Sequence, residues 1–167
     1  MSALPAGPSL SIPSQDDTHG RIHALLAAVT TVLLEQQPGL AGFEDHRPQR
    51  DRSSGESWRG LETFCHVSAL LASTGQPDGD NAQRALAAAH AVATARGMRR
   101  RSDSEVQGIC GATWIDERGD LLDVVVGVRV AVRAISAPFL PGSLQPTRST
   151  SPPTPISPVT PPPRLVR

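Results

Sequence analysis

Cys65 and His66 place a thiol and an imidazole side by side in the sequence. A catalytic cysteine needs a base within hydrogen-bond reach, so the pair invites a reading as a small Cys-His enzyme. The segment around it, LETFCHVSALLAS (61–73), alternates like a strand. That places Cys65, Val67, Ala69 and Leu71 on one face and His66 and Ser68 on the other, which parts the two. His46 lies beside Glu44 and Asp45, and such a trio could hold a metal ion. No second histidine follows His46 at helical spacing, and the five histidines are scattered along the chain. His90 falls beside the apolar stripe of a helix, a flank position. Cys65 and Cys110 are the only cysteines and have no zinc spacing; a disulfide between them stays open if their strands are neighbours. On these grounds no residue is assigned a catalytic, cofactor-binding or metal-ligating role, and no cofactor is expected.

Two further motifs invite function. Arg118-Gly119-Asp120 matches a tripeptide that cell-adhesion receptors read, but glycine and charged residues are also what a solvated turn requires. Arg99, Arg100 and Arg101 form a basic run, with Arg129 and Arg133 further on. The chain has 16 basic and 16 acidic residues and a formal net charge of zero, so no overall field draws it to nucleic acid. The run instead suits the end of a helix, where cations complement the dipole. Nucleic acid is not an expected partner.

These residues must be positioned by a modest core. Aromatics are 3% of the 167 residues, so Ala, Val and Leu have to supply it. Residues 1–18 lack a period and are expected to be disordered. From residue 19 to 36 a helix is expected, capped by Asp16, Asp17 or Thr18 and ended by Pro38-Gly39; Ile22, Leu25, Leu26, Val29, Val32 and Leu33 form its stripe. Its uncharged run also resembles the apolar core of an export signal. Asp16 and Asp17 precede it and no lipid-attachment Cys follows, so it is expected to stay in a cytoplasmic protein, with the cell envelope as the alternative. It is too short to span a bilayer. Residues 43–60 are polar and patternless, a long loop anchored by Trp58. A second helix starts at Asp80, with Gln83 as capping partner and Gly97 as its stop.

The clearest pattern is ATWIDERGDLLDVVVGVRVAVRAI (112–135). Asp116 to Gly119 suits a type I turn with a bulge at Gly119, which sets Asp116 opposite Asp120, Trp114 opposite Leu122, Ala112 opposite Val124 and Cys110 opposite Val126. Leu122, Val124, Val126, Val128, Val130, Val132 and Ala134 then share one buried face of a single strand. Trp114 is expected inside and Ile115 further out.

The order of these segments, with AAAHAVATARGMR followed by IDERGDLLDVVVGVRVAVRAISAPFLPG, resembles the LppA-like lipoproteins of actinobacteria over roughly residues 19 to 142. The resemblance implies an envelope protein without known catalysis and supplies no site residues. This chain departs from it in two places. It lacks the lipobox Cys, and Ala137 stands where the family's closing Cys would be.

The expected molecule is therefore an α+β domain over residues 19–142, in the order α-β-α-β-β, with two helices on one face of a small antiparallel sheet. Its expected work is non-enzymatic binding or structural support. The alternatives are an envelope-associated lipoprotein-like protein with a mis-assigned start, and a small enzyme using Cys65 or His66. Residues 143–167 are rich in Pro, Ser and Thr, expected to be a disordered tail that offers a protein partner an extended ligand. Deleting residues 143–167 should leave the thermal midpoint nearly unchanged, because they carry no apolar period to bury. Thermal unfolding of the two chains checks this; a drop of several degrees would mean that the tail packs on the domain.

Overall fold

The structure is a computed structural model and describes residues 12–77 and 82–142. The expected cap at Asp80, most of the N-terminal tail and the Pro-rich tail lie outside the described residues.

Helix α1 spans Gln15–Gln36. It begins earlier than expected, because Ser14 is its N-cap: the Ser14 hydroxyl accepts from the Asp17 N–H at 3.1 Å. Residues 15 to 18 therefore belong to the helix, not to a tail. Asp16 and Asp17 lie in the first turn, where negative charge suits the dipole. Ile22, Leu25, Leu26, Val29 and Leu33 are buried, as the stripe requires. A 3-10 turn at Pro38–Leu40 follows.

Four strands come next: β1 (Phe43–Arg47), β2 (Arg50–Trp58), β3 (Leu61–Val67) and β4 (Leu70–Ser73). Helix α2 (Ala82–Ala95) precedes β5 (Arg99–Val106), β6 (Ile109–Ile115), β7 (Leu121–Val126) and β8 (Val130–Ile135). All the strand pairs are antiparallel. The path through the sheet is β1-β4-β8-β7-β6-β5, while β3 pairs with β8 beyond the end of β4 and carries β2 outside it. The α+β class holds, but the order α-β-α-β-β does not.

Each missing element has a physical reason. The expected loop at 43–60 is β1 and β2: most of its side chains are exposed, so it pairs through backbone without an apolar alternation. Trp58, the expected anchor, is half-buried at the end of β2 with the Arg59 guanidinium 4.5 Å from its ring centroid. The expected strand at 61–73 is two strands with a break at Ser68-Ala69. The basic run does not end α2 but opens β5, whose eight residues are all exposed. Gly97 does end α2: with φ at +77° it allows the Met98 N–H to reach the Ala93 carbonyl at 2.9 Å and its own N–H the Thr94 carbonyl at 3.0 Å.

The register at residues 110–126 is as the turn chemistry requires. Trp114 pairs with Leu122, Ala112 with Val124 and Cys110 with Val126. Gly119 has φ at +99°, and the Asp116 carboxylate accepts from the N–H groups of Arg118, Gly119 and Asp120, each at 2.9 Å. Trp114 is fully buried and Ile115 is half-buried. The run beyond is a hairpin rather than one strand, with Val126 opposite Val130. Even residues face even residues across that turn, so the buried parity survives it; Val128, at the tip, is 76% exposed.

Both helices cover the same face of the sheet. The stripes of α1 and α2 join Ala112, Trp114, Leu122, Val124, Val126, Val130, Val132 and Ala134 in one apolar cluster. The Trp114 indole N–H donates to His90 Nδ1 at 3.0 Å, which gives that exposed α2 flank residue a packing task.

Where β8 changes partner, serines complete the ladder. Ser68 Oγ accepts from the Ala134 N–H and Ser136 Oγ from the His66 N–H, both at 2.9 Å, and Ser73 Oγ accepts from the Val130 N–H at 3.0 Å. These hydroxyls replace carbonyls that the break in the edge would otherwise deny to buried N–H groups.

One ion pair ties α1 to the opposite end of the sheet. Arg21 donates to both oxygens of Asp120, at 2.5 and 3.0 Å, and Asp120 also accepts from the Ala137 N–H at 2.7 Å. Asp120 is 2% exposed, so the Arg-Gly-Asp tripeptide does not present its carboxylate to solvent. Asp120→Ala should cost about 2–4 kcal/mol, because it strands a partly buried guanidinium and a buried N–H. Urea unfolding measures this; a loss below about 1 kcal/mol would mean that the pair is no better than an exposed one.

Candidate functional site

Of the titratable groups that this fold gathers, only His66 is one that the sequence singles out. Asp51 and His66 are directly opposed in the β2–β3 pair, so both project from the same face of the hairpin. That face meets α1. Gln15, His19 and His23 stand four residues apart on α1, one turn after another, and reach the hairpin from above.

The contacts are short. His66 Nδ1 lies 2.7 Å from Asp51 Oδ1, and His19 Nε2 lies 3.0 and 3.1 Å from the two Asp51 oxygens. The His19 and His66 rings are 4.0 Å apart between centroids, and His23 stacks on His66 at 6.3 Å. The Gln15 amide donates to Asp51 Oδ2 at 3.2 Å and is itself fixed by the Gly142 N–H at 2.7 Å. Gln49 Oε1 sits 3.1 Å from His23 Nε2. His66 is buried, while His19 and Asp51 are about a third and a quarter exposed.

Burial sets the protonation. Desolvation pushes the His66 imidazole below its ordinary value; the Asp51 carboxylate pulls it back, and His19 adds to the fall. Burial alone would raise Asp51. Its hydrogen bonds to His66 and His19, and their charge, outweigh that and hold it below the ordinary carboxylate value. The site therefore presents a neutral imidazole beside an ionised carboxylate at neutral pH, with His19 Nε2 as the third donor atom. His66 Nε2 is buried without a hydrogen-bond partner.

His66 and Cys65 do project to opposite sides, and of the two it is His66 that is buried. Cys65 is half-buried and its thiol is pushed up, chiefly by desolvation. Both cysteines are free thiols. His46 is exposed on β1 with Glu44 and Asp45, also exposed. The reading of scattered histidines is corrected for His19 and His23. Their spacing of four on one helix face was the available signal, and it lay in a segment valued only for its apolar stripe.

No family model and no curated protein matches the chain. Among solved structures, a DUF4853 family protein from Actinomyces odontolyticus is similar, with a TM-score of 0.50 and 12% sequence identity over 76% of this chain and 69% of that one. At that identity the likeness is one of fold. No helix among the described residues is long and apolar enough to cross a membrane.

The shifts predict a pH dependence. His66 titrates below its ordinary 6.5 in the fold, so the unfolded chain takes up that proton first, and stability falls as pH drops below that value. Asp51 contributes stability above its ordinary 3.8 that is lost as pH falls through its lower folded value, a second window. Urea midpoints in chelator-treated buffer, taken from neutral to about pH 5, should decline, and His66→Gln should flatten that decline. A flat wild-type profile would contradict the His66 shift.

Proposed function

We propose that this is a non-enzymatic binding domain whose ligand cleft lies between α1 and the β1–β4 edge. The carrying observation is a cavity of about 370 Å³ there. Its floor is apolar, from Leu26, Ala27, Ala69 and Leu71, and its rim bears His23, Asp45 and Gln49. That volume and that mix suit a small amphipathic molecule, with an apolar body and one polar edge.

The hydroxyls at the cleft favour binding over catalysis. Thr30 Oγ1 donates to the Leu26 carbonyl at 2.8 Å, and Ser68 Oγ donates to the Ala69 carbonyl at 2.8 Å while accepting from Ala134. Neither proton is turned toward a base. The enzyme alternative at Cys65 or His66 is disfavoured in the same terms. The Cys65 thiol is held protonated and His66 Nδ1 is engaged by Asp51. The reading also keeps α1 in the working protein, since Ile22, Val29 and Leu33 lie at the centre of the core. An envelope-associated relative of the LppA-like lipoproteins would have to export the domain with that helix intact.

Anilinonaphthalene sulfonate, an apolar dye with one charged edge, probes the cleft. Saturable binding at one equivalent is expected, and Ala27→Trp, an exposed position on the cleft floor, should weaken it at least about tenfold by filling the floor. Binding that is unsaturable, or that Ala27→Trp leaves unchanged, would overturn the reading.

A further inference from the structure

We propose that His19, Asp51 and His66 form a binding site for one divalent transition-metal ion of the zinc class, separate from the cleft.

Geometry comes first. One donor atom from each residue lies within 4.8 Å of the other two. Ligand bonds of about 2.0–2.2 Å at a tetrahedral ion place neighbouring donors ~3.3 Å apart. The two pairs that share Asp51 Oδ1, at 2.7 and 3.0 Å, therefore need to open by only a few tenths of an ångström, and the two histidine donors stand within 4.8 Å of each other. The three residues stand on a helix and on two paired strands, and neither pairing has to move for that adjustment.

The charge state also fits. The hydrogen-bond partners of Asp51 are His19, His66 and Gln15, so no arginine neutralises the carboxylate. Gln15 would keep orienting it from outside the ligand set, as carboxylate ligands are commonly held.

The donor set selects the ion. Two imidazoles and one carboxylate suit zinc, cobalt or nickel, whereas magnesium and calcium take six or more oxygens. Three protein ligands leave a fourth position, and the partial exposure of His19 and Asp51 lets water fill it.

The test uses the full chain after chelator treatment. Zinc is titrated by calorimetry and cobalt by its visible absorption, which reports coordination directly. One equivalent of each should bind, and calcium and magnesium should not compete. His19→Ala changes a partly exposed side chain and Asp51→Asn keeps the shape, so both should fold. Each should lower affinity by on the order of 100-fold or more, since a ligand is lost rather than a supporting group. Ala27→Trp should bind zinc as the parent does. Absence of binding at micromolar ion, or binding that His19→Ala and Asp51→Asn leave intact, would overturn the proposal. Dye binding by the cleft is read separately, so either proposal can fail alone.

Discussion

The structure depends on how α1 lies across the sheet. A chain with 3% aromatic residues cannot build a thick core, so it covers one sheet face with two helices and shares one apolar cluster among all three. Each of Ile22, Leu25, Leu26, Val29 and Leu33 removes its side chain from water, a gain of roughly 1.5–3 kcal/mol apiece. That burial fixes the height and rotation of α1. The rotation then decides what its two flanks meet. On one flank Arg21 reaches Asp120; on the other Gln15, His19 and His23 come down on the β2–β3 hairpin. The polar contacts are consequences of apolar packing, and they hold the helix against sliding along an apolar surface that is nearly uniform in Val and Ala.

What the sequence made legible was what local chemistry determines. Asp116 and Gly119 fix a turn, the turn fixes the register, and the register fixes which residues are inside. That chain of reasoning reaches the buried Trp114 without tertiary information. It also crosses the β7–β8 turn unharmed, since the partners there sum to an even number; the turn itself is hidden because Gly127 and Arg129 resemble the outward positions of a strand. Residues 43–58 were illegible for the opposite reason. Their backbone pairs but their side chains are mostly exposed on both faces, so no period is written in them. The DUF4853 likeness adds the architecture and no chemistry.

The candidate site was hidden by sequence distance. Positions 19, 51 and 66 meet only once α1 is docked and β2 is paired with β3, and β2 was not expected to be a strand at all. The 61–73 segment also left open which of its residues are covered. An alternating strand tells which residues share a side but not which side is buried. Thr63, Cys65 and Val67 share one side of β3 and His66 stands on the other. Thr63, Val67 and His66 are all buried and Cys65 is half-buried, so burial does not follow the alternation here. The break at Ser68-Ala69 lets β3 leave the path followed by β4, and its His66 meets α1 at the His19 and His23 rings.

That break links the backbone to the chemistry. A continuous strand from 61 to 73 would pair with β8 along its whole length and would need no hydroxyl in its ladder. With the break, β8 pairs with β4 at Val132 and with β3 at Ile135, and Ser68 and Ser136 serve the N–H groups between them. Ser136 serves His66 itself, so the residue that supplies the buried imidazole has its main chain tied to the same junction. The imidazole is thus held from two sides, by the ladder through its backbone and by Asp51 through its ring. A side chain so held is preorganised. Ser136 on the main chain and Asp51 on the ring together make His66 the fixed member of its group with His19 and Asp51.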